Sequence, residues 1–383
     1  ARDEAKVVLL PPCLETKPSH LCLREKLDSW ELRGAKQDVL HAIKTGVLWE
    51  WTSPPMSVQP TVRSSQDLDK VKPIIQDYLQ VGALREIPFS SEVKFFIPWF
   101  ILGKVDSNGD VKHIIISNCR ALNNHPQPRK FRLENIQQVF PHLRKGMWAI
   151  KVDLKNAYFH LGVAAVAQPY LCMQVGSKFY QWQEAPFGLS TLPFLFQSLM
   201  KTPLKKWGSE GLSIWVYLDD ILLVHPHRKT LESQRDTVLR DLESLGLNIN
   251  FKKSVLLPVQ NVDYLGFHLN FAKSSLEVPQ QKLKTVRREL GKMVTHSHLS
   301  PRKMAAILGT VRSFLTALPF LRAFTDQLCS FVNLQEHVGW DSPQPLPKDL
   351  QHQLREVKDI LQNWQGSRPV GPGAVSLPAA AGA

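Results

Sequence analysis

The strongest constraint in this sequence is an apolar, β-rich run broken by two adjacent acids, LSIWVYLDDILLVH at 212–225. Two runs rich in Ile, Val, Trp and Tyr separated by three residues read as a β-hairpin with Leu218, Asp219 and Asp220 at its tip. Neighbouring carboxylates on an apolar hairpin repel each other, and that arrangement costs stability unless a cation sits there. The same two acids split the most apolar stretch of the chain, so no segment reaches the roughly 18 uncharged apolar residues of a membrane span. As a dipeptide alone, Asp-Asp is also an ordinary polar turn.

A second acid-bearing strand removes that ordinary reading. GMWAIKVDL (146–154) alternates as a strand and delivers Asp153 near its end. Three carboxylates on neighbouring strand ends suit hard divalent cations, Mg²⁺ above all, which keep waters and take further ligands from substrate phosphates.

Around these strands the pattern is mixed. Leu68, Val71, Ile75, Tyr78 and Leu79 mark a helix stopped by Gly82. FFIPWFILGKVDSNGDVKHIIIS (95–117) reads as two strands joined at SNGD. FYQWQEAPFGLSTLPFLFQSLM passes from a strand through a Pro/Gly turn into a helix that Ser190 is placed to cap. A helix through Leu231, Val238, Leu242 and Leu245 ends at Gly246. From 279 onward the periodicity is helical: Leu283, Val286, Leu290 and Met293; then a helix opened by Ser300-Pro301; then Leu350, Leu354, Val357, Leu361 and Trp364. The expected class is α+β with an all-helical C-terminal third and a low-complexity tail. GxxxxGK[ST], GxGxxG after a strand, GxSxG and HExxH are absent, which removes the chemistries those motifs carry.

Lys and Arg total 47 against 34 Asp and Glu, a net charge of +13, and such an excess points to a polyanionic partner. Five scattered cysteines with no CxxC pair read as reduced thiols, hence an intracellular protein, cytoplasmic or nuclear. Cys13, His20 and Cys22 fit no zinc spacing. The opening ARDEAKVVLLPPC is too short in apolar residues for a secretory signal, and the first Met is Met56, which suits a piece of a longer polypeptide.

These residues resemble reverse transcriptases. YLDD (217–220) is similar to their YxDD hairpin and KVDLKNAYFHL (151–161) to their first aspartate motif. In order along the chain, HIIISNCRALNN (113–124) resembles the fingers segment, APFGLSTLPFLFQ (185–197) the segment between the acids, GLNINFKKSVL (246–256) the lysine-bearing turn and YLGFHL (264–269) the primer grip. PFGLS and YLGF are in the style of gypsy-type and DIRS-type retrotransposons, and DSW (28–30), VLHAIKTG (39–46) and WTSPP (51–55) resemble what precedes the polymerase in DIRS-type elements.

The resemblance implies a right-hand polymerase: an N-terminal extension at 1–60, interleaved fingers and palm at 61–270, a helical thumb at 271–345, and a connection-like helix with a tail at 346–383. It implies RNA-directed DNA synthesis by two-metal nucleotidyl transfer, with Mg²⁺ (or Mn²⁺), deoxynucleoside triphosphates, an RNA template and a DNA primer or RNA–DNA hybrid as partners. Asp153, Asp219 and Asp220 would be the metal ligands, and Lys253 the acid that protonates pyrophosphate. Tyr158 would gate the sugar, with Phe187 and Gly188 lining the nucleotide pocket. Lys104 and Arg120 match fingers positions. The usual Trp-Arg pair is missing there, which leaves Lys112 as the second triphosphate-binding cation. Tyr264, Leu265 and Gly266 would meet the primer, and Lys284, Arg288 and Lys292 would form a thumb face on phosphates. Read as bare residues, Tyr158 is equally a core aromatic and the Lys252-Lys253 pair a solvated surface. A competing function is a catalytically inactive scaffold of the same fold that only binds nucleic acid.

Overall fold

A computed structural model describes residues 17–48, 65–88, 93–105, 111–124, 136–155 and 157–369, without the side chains of 65, 66, 104 and 105. The SNGD turn, the WTSPP segment and the C-terminal tail fall outside the described residues. The chain divides into two compact units: 1–133 with 151–221 and 233–256, and 134–150 with 222–232 and 257–383. Each unit draws its residues from separate parts of the chain.

Among the described residues, twelve strands precede residue 280: β1 Leu84–Ile87, β2 Trp99–Val105, β3 Val111–Ser117, β4 Trp148–Asp153, β5 Cys172–Val175, β6 Lys178–Trp182, β7 Ile214–Tyr217, β8 Asp220–His225, β9 Val255–Val259, β10 Asn261–Tyr264, β11 Phe267–Asn270 and β12 Ser275–Glu277. β4, β7, β8 and β9 form one sheet in the order β7-β8-β4-β9. Ile221, Leu222, Leu223 and Val224 of β8 are all buried, which is why that strand reads as a continuous apolar run. The helix Leu192–Ser209 packs on β7 through its apolar side.

In the first unit, β2 and β3 form an antiparallel ribbon from Trp99↔Ser117 to Val105↔Val111. β1, β6 and β5 form a separate three-stranded sheet. The helix Ser65–Gln80 buries Val71 and Ile75, and Gly82 at φ +75° follows it, as the periodicity required. The expected Ser190 cap is not made. The helix starts at Leu192 with Thr191 at its N-cap and no side-chain cap bond, and the Ser190 N–H donates to Asn123 Oδ1 at 2.9 Å.

Three short helices, Ser19–Glu25, Leu27–Leu32 and Gln37–Thr45, belong to the first unit. Trp30 is fully buried and its indole donates to the Leu245 carbonyl at 2.9 Å. Arg33, Lys206 and Trp207 all donate to the Asp241 carboxylate, at 3.1, 2.7 and 2.8 Å. Burial works against the Asp241 charge, but these donors outweigh it and hold the carboxyl below its ordinary range.

In the second unit, β10, β11 and β12 form a meander, and the strand Ser367–Pro369 adds to β12. Helices Gln280–Met293, Pro301–Arg312, Leu321–Asn333 and Lys348–Asn363 complete it. Ser300 caps the second of them, its Oγ accepting from the Lys303 N–H at 3.3 Å, with Pro301 in the first turn. Leu350, Leu354, Val357 and Leu361 are buried as expected. The C-terminal third is thus helical apart from Ser367–Pro369 and the two-residue pairing of His298–Leu299 with Gln344–Pro345. Segments that short carry no periodicity of their own. No helix among the described residues is long and apolar enough to cross a membrane.

Candidate active site

The tip of the β7–β8 hairpin is tighter than the sequence suggested. Only Leu218 and Asp219 connect the strands, and Asp220 is the first residue of β8. Leu218 adopts φ +53°, a strained left-handed conformation for a branched side chain. It is held there by Gln197, whose side-chain oxygen accepts from the Leu218 N–H at 3.1 Å while its amide donates to the Val216 carbonyl at 3.0 Å. Gln197 is buried on the otherwise apolar side of its helix. An amide within the apolar run PFLFQSLM was the available signal, and sequence reasoning passed over it.

Backbone bonds then tie the hairpin to β4 and to the turn after the Arg228–Ser244 helix. The Leu154 N–H donates to the Asp219 carbonyl at 2.9 Å, and the Asn250 N–H to the Asp153 carbonyl at 2.7 Å. The Asp153 N–H donates to Ser254 Oγ at 2.9 Å. Through these bonds the three aspartates come together, and Lys253 is delivered near enough to act on two of them. Asp153 is pushed up to about 6, by burial first and then by the charges of Asp219 and Asp220, with Lys253 opposing. Asp219 is raised by burial and by Asp220, against Lys253 and Lys151. Lys151 Nζ stands 3.4 Å from Asp220 Oδ1, yet that oxygen is buried and makes no hydrogen bond.

Repelling carboxylates, two with raised proton affinity and one with a buried oxygen that makes no hydrogen bond, fit a divalent cation. Among the described residues no three His, Cys, Asp or Glu side chains already form an ion cage.

Tyr158 is only 8% exposed, with its ring 5.0 Å from Phe187 and 6.0 Å from Phe196. Burial, then Asp219 and Tyr217, push its hydroxyl up to about 12. Tyr158 is thus both a packed aromatic and a neighbour of the acids. Phe187, by contrast, is 53% exposed, and the adjacent Gly188 carbonyl accepts from Asn123 Nδ2 at 2.8 Å. Asn123, four residues into CRALNN, is a further contact that sequence reasoning did not single out.

Arg120 is exposed at the start of the short helix Arg120–Asn123. Lys112 is exposed on β3 opposite Lys104, and among the described residues it makes no hydrogen bond or ion pair. The Lys104 side chain falls outside the described residues. Nothing here brings Lys112 or Arg120 to the aspartates.

In the second unit, Leu265 at φ +49° and Gly266 at φ +80° form the tight β10–β11 turn. Tyr264 is a correction: it is 1% exposed and serves the core, so its ring cannot lie on a primer, whereas Leu265 and Gly266 are accessible. Lys284, Arg288 and Lys292 stand exposed opposite Leu283, Val286, Leu290 and Met293, and Arg288 and Lys292 share Glu289. Arg287 is structural, donating to the Leu361 and Trp364 carbonyls at the end of the last helix.

Similarity to known proteins follows the same residues. The chain is 29% identical over 163 residues to the P protein of duck hepatitis B virus, strain United States/DHBV-16, covering 42% of this chain and 19% of that protein. It is 24% identical over 269 residues to an enzymatic polyprotein of cassava vein mosaic virus, covering 69% and 39%. The chain spans about a fifth of the length of the hepadnaviral relatives it matches. Its fold is similar to that of the foamy viral protease–reverse transcriptase solved with an RNA/DNA hybrid, with a TM-score of 0.61, 16% identity, and 88% of this chain and 43% of that one covered. The form of that protein solved with double-stranded DNA gives a TM-score of 0.63 at the same identity, covering 88% and 60%. Residues 110–269 match the family described as "Reverse transcriptase (RNA-dependent DNA polymerase)". They contain Asp153, Asp219, Asp220 and Lys253, so this segment of the chain is similar to reverse transcriptases.

Proposed function

We propose that this chain is the polymerase part of a retroelement polyprotein and copies RNA, or DNA, into DNA. The observation that carries the reading is the carboxylate cluster of Asp153, Asp219 and Asp220, charged against its own repulsion and adjoining Tyr158. Asp153, Asp219 and Asp220 would hold Mg²⁺ or Mn²⁺. Divalent ions bound there would supply charge neutralisation at the α-phosphate and a lowered pKa for the attacking primer hydroxyl. Lys253, close enough to oppose the raised proton affinity of Asp153 and Asp219, is suited to give a proton to departing pyrophosphate. Tyr158 and Phe187 make a wall against which a deoxyribose fits and a 2′-hydroxyl clashes, with Gly188 beside them.

Triphosphate contacts from Lys104, Lys112 and Arg120, and primer or duplex contacts from Leu265, Gly266, Lys284, Arg288 and Lys292, complete the proposal. The +13 charge supports a nucleic-acid partner. A retrotransposon of gypsy-like or DIRS-like type is the source that PFGLS and YLGF favour. The viral relatives, which are themselves longer proteins, fit a retroelement polyprotein in general.

The test is extension of a DNA primer on an RNA template with Mg²⁺ or Mn²⁺, beside Asp219→Asn. Extension by the wild type and none by the variant is expected. Binding of primer–template without extension under either ion would mean an inactive scaffold and overturn the proposal.

A further inference from the structure

We infer that His20, assisted by Ser19, is a positioning residue for the nucleotide-binding wall; this rests on the proposed polymerase function. His20 lies in the first helix, far upstream of the matched segment 110–269. Its ring Nδ1 is 2.8 Å from Glu184 Oε1, and its backbone N–H donates to the same oxygen at 3.1 Å. Facing a carboxylate, Nδ1 carries the hydrogen and donates. Glu184 is 1% exposed, so His20 supplies what that buried acid requires.

Glu184 opens the segment EAPFG. It bridges to Gly162, and the Ala185 N–H donates to the Leu161 carbonyl at 2.8 Å. Three residues after Glu184 comes Phe187, whose ring meets Tyr158. Since Phe187 is half-exposed, its own burial does not fix it. Bonds on both sides of it do that: Asn123 holds Gly188 and Ser190 after the ring, and His20 holds Glu184 before it.

Ser19 makes a parallel attachment. Asn248 Nδ2 donates to Ser19 Oγ at 3.0 Å, the Asn248 N–H donates to His160 Nε2 at 2.9 Å, and the Asn248 carbonyl accepts from the Lys155 N–H at 2.8 Å. The loop held by Ser19 is therefore bonded to both ends of the Asp153-to-His160 segment. The fit is close. A Cβ on Gly162 would stand 3.0 Å from His20 Cδ2, and one on Gly246 2.5 Å from the Cys22 carbonyl oxygen. Glycine at these two positions is what lets the N-terminal helix approach.

The experiment uses the full chain with His20→Ala, His20→Asn, which retains a side-chain N–H donor, and Gly162→Ala, which pushes on the ring. Two readouts are taken: hydrogen exchange of peptides covering 183–190 and 301–312, and single-nucleotide extension with KM for the deoxynucleotide separated from kcat. His20→Ala is expected to speed exchange in 183–190 at least about tenfold while 301–312 is unchanged. It should raise KM at least about tenfold, with primer–template affinity within about twofold. His20→Asn should recover most of both effects. Unchanged exchange at 183–190, or uniform acceleration with activity falling only as the folded fraction falls, overturns the inference. Should His20→Ala fail to fold, Gly162→Ala decides by the same two readouts. The exchange readout needs no catalysis, so a wild type that does not extend primers would sink the polymerase reading while exchange still judges the anchor.

Discussion

Replacing Asp153 with Asn should make the metal-free protein more stable while destroying its activity. Asp153 has an ordinary value of 3.8 and is pushed up to about 6, by burial and then by Asp219 and Asp220. At 1.36 kcal/mol per pH unit that interval is about 3 kcal/mol. Asp153 is half-buried, and screening brings the usable figure to about 1–2 kcal/mol. The sign follows from linkage. Below 3.8 both folded and unfolded forms are protonated; between 3.8 and about 6 the unfolded chain ionises first; above that the folded state bears the whole penalty. An amide carries no charge, and its N–H can still donate to Asp220. Asp153→Asn should therefore gain about 1–2 kcal/mol at pH 7 in chelator and little or nothing near pH 4. Denaturant midpoints at the two pH values measure it. Adding Mg²⁺ should raise the wild-type midpoint and leave that of the variant nearly unmoved. A variant less stable than wild type at pH 7, or equally stabilised at both pH values, would falsify the repulsion account.

Four other outcomes are expected. His160 is buried and pushed down to about 4, by burial despite its bond to the Ala157 carbonyl, so stability should fall by up to about 3 kcal/mol as pH drops from 6.5 toward 4; His160→Phe should flatten that slope in a pH series of denaturation curves. Gln197→Leu removes the bonds to the Val216 carbonyl and the Leu218 N–H, and should cost about 2–4 kcal/mol and lower kcat for extension at least about tenfold. Tyr158→Val should reduce the deoxy-over-ribo ratio of kcat/KM at least about tenfold, roughly 1.4 kcal/mol; equal loss on both substrates would make Tyr158 a packing residue only. Changing Lys284, Arg288 and Lys292 to Gln should lower the log–log salt slope of primer–template binding by up to about three, and an unchanged slope would return that face to ordinary solvation.

Much of the fold was readable in the sequence because it depends on neighbours within a few residues. Alternation delivered β4, two apolar runs delivered the β7–β8 hairpin, Ser300-Pro301 opened its helix, and helical spacing named Leu283, Val286, Leu290 and Met293 as a buried stripe. The three aspartates were legible for the same reason, since acids inside apolar strands stand out locally. Other features belong to the tertiary structure. The two-residue hairpin tip depends on Gln197 accepting from Leu218, the short strand Ser367–Pro369 exists because β12 offers it an edge, and Tyr264 is buried because of what packs over it. The Ser190 N–H bonds to a side chain 67 positions away. His20 and Glu184 are separated by 164 positions, and Trp30 and Leu245 by 215. A hydrogen bond acts over about 3 Å of space whatever the distance along the chain. Periodicity and turn chemistry cannot register such partners, and only the folded chain brings them together.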